Sequence, residues 1–181
     1  MRFSTCWPAL FLLALTSSCW TSADTDPGVG PTFTGEGYRP VYLTTEELRT
    51  ISTTAPAKLK SPGKIYVRGN FLFINERYRG IHVIDNADPR QPVNLSFISI
   101  PGNVDIAVKG SVLYADNGVD FVALDISDPQ NVRVLKRIEN AFPQQNFPLV
   151  SNVYFECPDA KKGSVLVRWE KVRMSKPRCY R

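Results

Sequence analysis

Between Lys64 and Ile138 the chain is written in short apolar runs separated by turn residues. Phe71-Leu-Phe-Ile74, Ile81-His-Val-Ile84, Val112-Leu-Tyr-Ala115 and Phe121-Val-Ala-Leu124 are rich in β-branched and aromatic residues and too short for helices, so they predict strands. All four are apolar on both faces, which predicts sheets covered on both sides. Arg68-Gly-Asn70 and Lys109-Gly-Ser111 read as tight hairpin connections, and Asp116-Asn-Gly118 as a type I′ turn. Asp88-Pro89 and Asp128-Pro129 place Pro second in a turn, with the Asp side chain free to bond the backbone. The pattern predicts eight antiparallel strands, at 64–68, 71–75, 80–85, 93–98, 105–109, 111–116, 119–125 and 132–138.

These strands fall into one unit written twice. Ile65-Tyr-Val-Arg-Gly69 aligns with Ile106-Ala-Val-Lys-Gly110, Phe71-Leu-Phe with Val112-Leu-Tyr, and Ile81-His-Val-Ile-Asp85 with Phe121-Val-Ala-Leu-Asp125. With one single-residue gap, nine positions from Ile65 to Ile98 are identical in the second copy. A period of about forty residues marks a repeat architecture. Four short strands per repeat, stacked face to face, describe the blade of a β-propeller.

The segments outside the repeats are predicted to cover them. Tyr38 to Leu43 reads as a strand, and Thr44-Thr-Glu-Glu47 as a capping box opening a short helix over about 45–52. Val150–Glu156 and Ser164–Glu170 read as two strands of a C-terminal hairpin. Two repeats fall short of the about four to eight blades of a closed propeller. The expected fold is therefore all-β: two four-stranded antiparallel propeller-like blades, a C-terminal β-hairpin and one short N-terminal helix, forming an incomplete propeller. The hairpin with strand 38–43, or self-association, would shield the outer faces.

The strand-plus-Asp motifs Ile81-His-Val-Ile-Asp85 and Phe121-Val-Ala-Leu-Asp125, followed by Asp88-Pro89 and Ser127-Asp-Pro129, resemble the LVIVD repeat. The first copy has Ala87 where that family tends to have Ser. The resemblance covers about 80 residues. It implies a propeller-forming module of bacterial surface and secreted proteins, often lipoproteins, with no assigned catalytic residue or cofactor.

The chain's start refines the address. Arg2, the apolar run Ala9–Leu15 and the small residues Thr16-Ser-Ser18 read as a secretory signal over 1–18. Cys19 follows directly, as in a bacterial lipobox, where the Cys becomes the lipidated N-terminus; Leu15 lies four residues before it, and Thr16 holds the position where Leu is expected. The other reading is cleavage after Ala23. Residues 19–37 form a flexible linker of Thr, Ser, Asp, Gly and Pro. Residues 38–63 hold the strand, helix and loop, 64–102 and 103–142 the repeats, and 143–181 the basic C-terminal hairpin. Cys157 and Cys179 remain as an even pair in an exported chain and predict a disulfide.

The net charge of +5 is concentrated at the C-terminus, where 158–181 carry eight Lys/Arg against Asp159 and Glu170. Lys161, Lys162, Arg168, Lys171, Arg173, Lys176, Arg178 and Arg181 could meet anionic lipid or glycan. They could equally protect an exposed strand edge. Nucleic acid is not expected of an exported chain. Neither a cofactor nor a metal site is predicted. The turn pairs Asp85/Asp88 and Asp125/Asp128 supply too few oxygens for Ca²⁺, and one His excludes His-based metal clusters. His82 aligns with Val122 and reads as structural. Phe71, Phe73, Tyr114 and Phe121 are expected in the core.

The expected function is a lipid-anchored bacterial envelope protein, held in the membrane through Cys19. It would act as a binding or structural module toward envelope proteins, glycans or a second copy, and not as an enzyme. The alternatives are a degenerate glycan-active hydrolase, which would need paired carboxylates from among Glu76, Asp105, Asp116 and Asp120, and a truncated repeat protein without independent activity.

Overall fold

The computed structural model describes residues 32–159, 163–175 and 177–181. The expected signal segment, Cys19, most of the expected linker, Lys161, Lys162 and Lys176 lie outside the described residues.

The described chain is all-β apart from one helical turn, and builds three sheets. In the first repeat, β3 (Pro62–Arg68), β4 (Phe71–Glu76), β5 (Gly80–Asp85) and β6 (Val93–Ser99) form an antiparallel meander. An unforeseen strand, β2 (Ser52–Thr54), joins the β6 edge and makes the sheet five-stranded. In the second repeat, β7 (Ile106–Lys109), β8 (Val112–Asn117), β9 (Asp120–Asp125) and β10 (Arg133–Ile138) repeat the meander with four strands. The expected strand boundaries hold to within two residues.

The turn chemistry is the same in both repeats. Asp85 accepts the Ala87 N–H and Asp88 that of Arg90, and Asp125 and Asp128 do the same for Ser127 and Gln130. A carboxylate bonding a backbone N–H two residues on stabilises the turn locally. These four acids therefore hold the β5–β6 and β9–β10 connections.

The two repeat sheets pack face to face. Phe73, Ile81, Val83, Ile98 and Ile100 of the first meet Ile106, Val108, Leu113, Ala115, Val122, Leu124 and Ile126 of the second, all buried in one cluster. Burying each such side chain contributes about 1.5–3 kcal/mol before the entropy of ordering is charged against it.

The other face of the first sheet is closed by its own chain. Thr54 sits at the β6 edge and Pro62 at the β3 edge, so 55–61 must cross a face. The face toward the second repeat is full. The segment therefore straps the opposite face, over buried His82, Ile74 and Phe97. Asn94 Nδ2 donates to the Ala57 carbonyl at 3.0 Å, and the Lys60 and Ser61 N–H groups donate to Glu76 at 2.9 and 2.7 Å.

The C-terminal hairpin is not formed. The third sheet runs β12 (Ser164–Arg173), β1 (Glu36–Thr44), β11 (Tyr154–Phe155), β13 (Cys179–Tyr180). β1 lies between the two strands expected to pair, antiparallel to β12 and parallel to β11. The nine-residue β1 offers a long partner edge to the ten-residue β12, whereas only two residues of the 150–156 segment are extended. Cys157–Cys179 is bonded and ties the end of β11 to β13.

The capping box forms as expected. Thr44 and Glu47 exchange bonds at the start of α1 (Thr45–Arg49), which ends before Thr50, three residues short of the expected span. The third sheet and α1 do not stack on a repeat face. They meet the turn between β8 and β9, where Leu48, Val119 and Val167 form a second small cluster. Gly118, at φ +62°, lets Leu48 approach, since a Cβ there would lie 2.9 Å from Leu48 Cδ1. Beside it, buried Asp120 accepts from Arg49 and Arg137, each at 2.9 Å, and from the Asn140 N–H at 2.9 Å. Asn117 Nδ2 donates to the Leu48 and Pro101 carbonyls.

Candidate interaction face

The register of the strands fixes which side chains share a face. In the first repeat Phe73 pairs with Val83, and Ile81 with Ile98, and all face the second repeat. The corresponding pairs in the second repeat are Tyr114 with Ala123 and Phe121 with Ile138. They lie on the face away from the shared core, because that core takes Leu113, Ala115, Val122 and Leu124. The two repeats are thus stacked in the same sense, like successive members of a series. Each presents the same face forward, and the forward face of the second repeat meets no further sheet among the described residues.

This corrects the placement of the mid-strand aromatics. Phe73 is fully buried and Phe71 packs against the same core. Tyr114 and Phe121 are half-buried on the open face, stacked on one another with centroids 6.1 Å apart. Phe142 meets Phe121 edge-on and is itself exposed, as is Ile138. Only the first sheet is covered on both sides as expected.

Phe142 also divides two concavities. A cavity of about 370 Å³ lies on the open face, lined by Ala107, Tyr114, Phe121 and Phe142. A groove of about 390 Å³ lies between the β8–β9 turn, the 142–149 segment and β12, and includes Phe147, Leu166, Arg168 and Trp169. Asp105 and Asp116 border both.

Each of the four acids considered for hydrolysis has an acceptor task. Glu76 holds the strap and His82, whose Nε2 lies 3.1 Å away. Burial pushes the Glu76 carboxyl up, but the Lys60 N–H, His82 and the Ser61 N–H outweigh it and hold the group below the usual range. Asp120 is likewise held low by the Asn140 N–H, Arg49 and Arg137 against its burial. Asp116 accepts from the Val104 and Asp105 N–H groups and from Asn103 Nδ2; there burial wins and raises its pKa. Asp105 bonds Lys64 Nζ at 2.7 Å. Asp105 and Asp116 border one groove, while Glu76 lies beneath the strap and Asp120 against α1.

Of the described basic residues of the C-terminal segment, Arg168, Lys171 and Arg173 lie on β12 and are distributed over its two faces. Successive residues of a strand point opposite ways, so Lys171 and Arg173 share one face and Arg168 the other. Arg168 pairs with Glu170, and Lys171 with Glu36 at 2.6 Å. Arg178 precedes β13.

The sequence signal that finds the open face is the repeat alignment itself. Tyr114 aligns with Phe73, and Ile138 with Ile98. With the repeats stacked in the same sense, that alignment places Tyr114 outward.

The architecture is that of a tandem β-sheet repeat protein. Residues 102–137, which span most of the second unit, match the family model of the LVIVD repeat. No curated protein and no solved structure matches the chain.

Proposed function

We propose that this is a lipid-anchored protein of the bacterial envelope whose two propeller-like blades serve as an interaction module. The open forward face of the second repeat is the contact surface. One observation carries the reading: the face whose equivalent in the first repeat is closed by a neighbouring sheet stands half-exposed in the second, with Tyr114, Phe121, Ile138 and Phe142 on it. Exposed apolar surface of this kind marks association sites. Binding is preferred over hydrolysis because all four carboxylates are engaged in holding loops or pairing with cations.

A photo-crosslinking residue placed at Ile138 in the full-length protein, in cells, is expected to yield discrete adducts. The same residue at Arg173 on β12 should yield few. Equal labelling at both positions, or none at Ile138, overturns the assigned face. Cys19→Ser should move the protein from the membrane to the soluble fraction, and unchanged fractionation removes the lipid anchor.

A further inference from the structure

We infer that the occupant of the open face is a second copy of this chain, docked head to tail. The forward face of the second repeat of one copy would meet the rear face of the first repeat of the next. The inference rests on the reading of that face as a contact surface, and names its partner.

Both halves of such a junction are present and exposed on one molecule. On the rear face of the second repeat, Ile106 and Val108 are 5% and 6% exposed, buried by the first repeat. Their equivalents on the rear face of the first repeat, Ile65 and Val67, are 60% and 62% exposed. On the forward side, Ile98 of the first repeat is fully buried, whereas its equivalent Ile138 is 51% exposed. At Ile65, Val67 and Ile138 the missing interface thus matches the one that exists.

The polar contacts across the existing interface point the same way. Lys64 reaches Asp105, Arg68 Nη1 donates to the Ile126 carbonyl at 3.1 Å, and Ser96 Oγ donates to the Pro129 carbonyl at 3.0 Å. Moving each contact one repeat forward places Asp105 opposite Lys64 of the next copy. Lys109 then faces the carbonyl of Asn86, and Lys136 that of Pro89. These three pairings keep a donor and an acceptor, and the ion pair recurs with its sign reversed. Opposite charges at matched positions fix the register of an interface. Two other contacts have no counterpart: Asn75 with Asn103, since those positions hold Asp116 and Pro62, and the Val132 N–H with Thr53 Oγ1, since Pro92 stands in the place of Val132 and has no N–H to donate.

The strap at 55–61 limits the overlap. It already lies over His82 and Ile74, so the junction engages the β3–β4 side of the rear face, where Ile65, Val67 and Leu72 remain open. A reduced area predicts association that depends on concentration rather than an obligate assembly. A head-to-tail contact between different surfaces extends into a ring or a chain of copies, and is not limited to a dimer.

Sedimentation velocity on the full-length protein tests this, loaded from about 1 to about 200 μM. The weight-average sedimentation coefficient should rise with concentration. Val67→Glu and Ile138→Glu both fall on exposed side chains, so neither disturbs the monomer core. Each alone should abolish the rise. Mixed one to one, the two variants should form a dimer and nothing larger, because one intact rear face and one intact forward face remain. A strict monomer in the parent protein overturns the second copy as occupant while leaving the face open to another chain. Association that survives Val67→Glu but not Ile138→Glu overturns the head-to-tail arrangement in favour of a two-fold contact between forward faces.

Discussion

Replacing Asp120 with Asn removes one negative charge from the contact that joins α1 to the second repeat. The carboxylate is fully buried and sits 2.9 Å from both Arg49 and Arg137. Stranding one member of a buried ion pair costs about 3–5 kcal/mol. Here neither arginine is stranded. Arg49 keeps Glu139 at 3.0 Å, and Arg137 keeps Asn117 Oδ1 at 2.6 Å and the Arg49 carbonyl at 3.2 Å. The Asn side-chain oxygen can still accept from the Asn140 N–H. The expected loss is therefore about 2–3 kcal/mol. Asp120→Ala also removes the acceptor for Asn140 and should cost about 1 kcal/mol more. Urea unfolding with the disulfide intact measures both. At an m-value of about 1–3 kcal/mol per molar, the midpoint should fall by about 0.7–3 M with m unchanged. The dependence on pH supplies a second check. Asp120 ionises below the usual carboxylate range when folded. Its stabilisation is present above the unfolded value of about 4 and is lost as pH falls through the lower folded value. The gap between parent and Asp120→Asn should therefore close in acid. A loss under about 0.5 kcal/mol at neutral pH would mean that desolvation cancels the pair, and would refute the reasoning.

Two further outcomes follow from the same packing. Gly118→Ala places a methyl against Leu48 at a left-handed φ and should cost about 2–3 kcal/mol, against about 1 kcal/mol for Gly69→Ala, where φ is +54° but no atom lies within 4 Å of the new Cβ; equal melting temperatures for the two variants would contradict the close approach. Replacing both Cys157 and Cys179 with Ser opens a link between residues 22 apart and should cost about 3 kcal/mol in the same urea assay, with reductant producing the same loss in the parent and none in the variant.

The repeats were legible because their information is local. Alternating strand and turn signals fixed eight strands, and Asp-Pro turns fixed their spacing, since each Asp bonds its own backbone two residues on. The capping box at Thr44 was legible for the same reason. What failed was long-range pairing. Nothing in the run from Val150 to Glu156 announces that β1, more than a hundred residues earlier, takes the place beside Ser164–Arg173. The strap was missed because Ala55–Ser61 has no pattern of its own; it is held by Glu76 and Asn94, which belong to other strands. Of the candidate site, the residues were visible and their direction was not. Tyr114 and Phe121 look like core because their equivalents are core, and only the sense in which the repeats stack shows them turned outward. The acids read as turn residues, and each has an acceptor task in the structure, Asp120 through its contacts with Arg49 and Arg137.

The central place of β1 in the third sheet bears on the order in which the chain acquires its shape. Both neighbours of this strand, β11 and β12, come from residues after 153. A polypeptide emerging from its N-terminus would expose Glu36–Thr44 throughout the synthesis of both repeats, with no edge to pair with. Contacts between such distant segments carry a high loop-closure cost and form slowly. The repeat meanders can assemble first from neighbouring strands, and the third sheet then closes as a late clasp between early and late parts of the chain. Shortening the protein at its far end would therefore do its damage near the beginning, by leaving β1 unpaired.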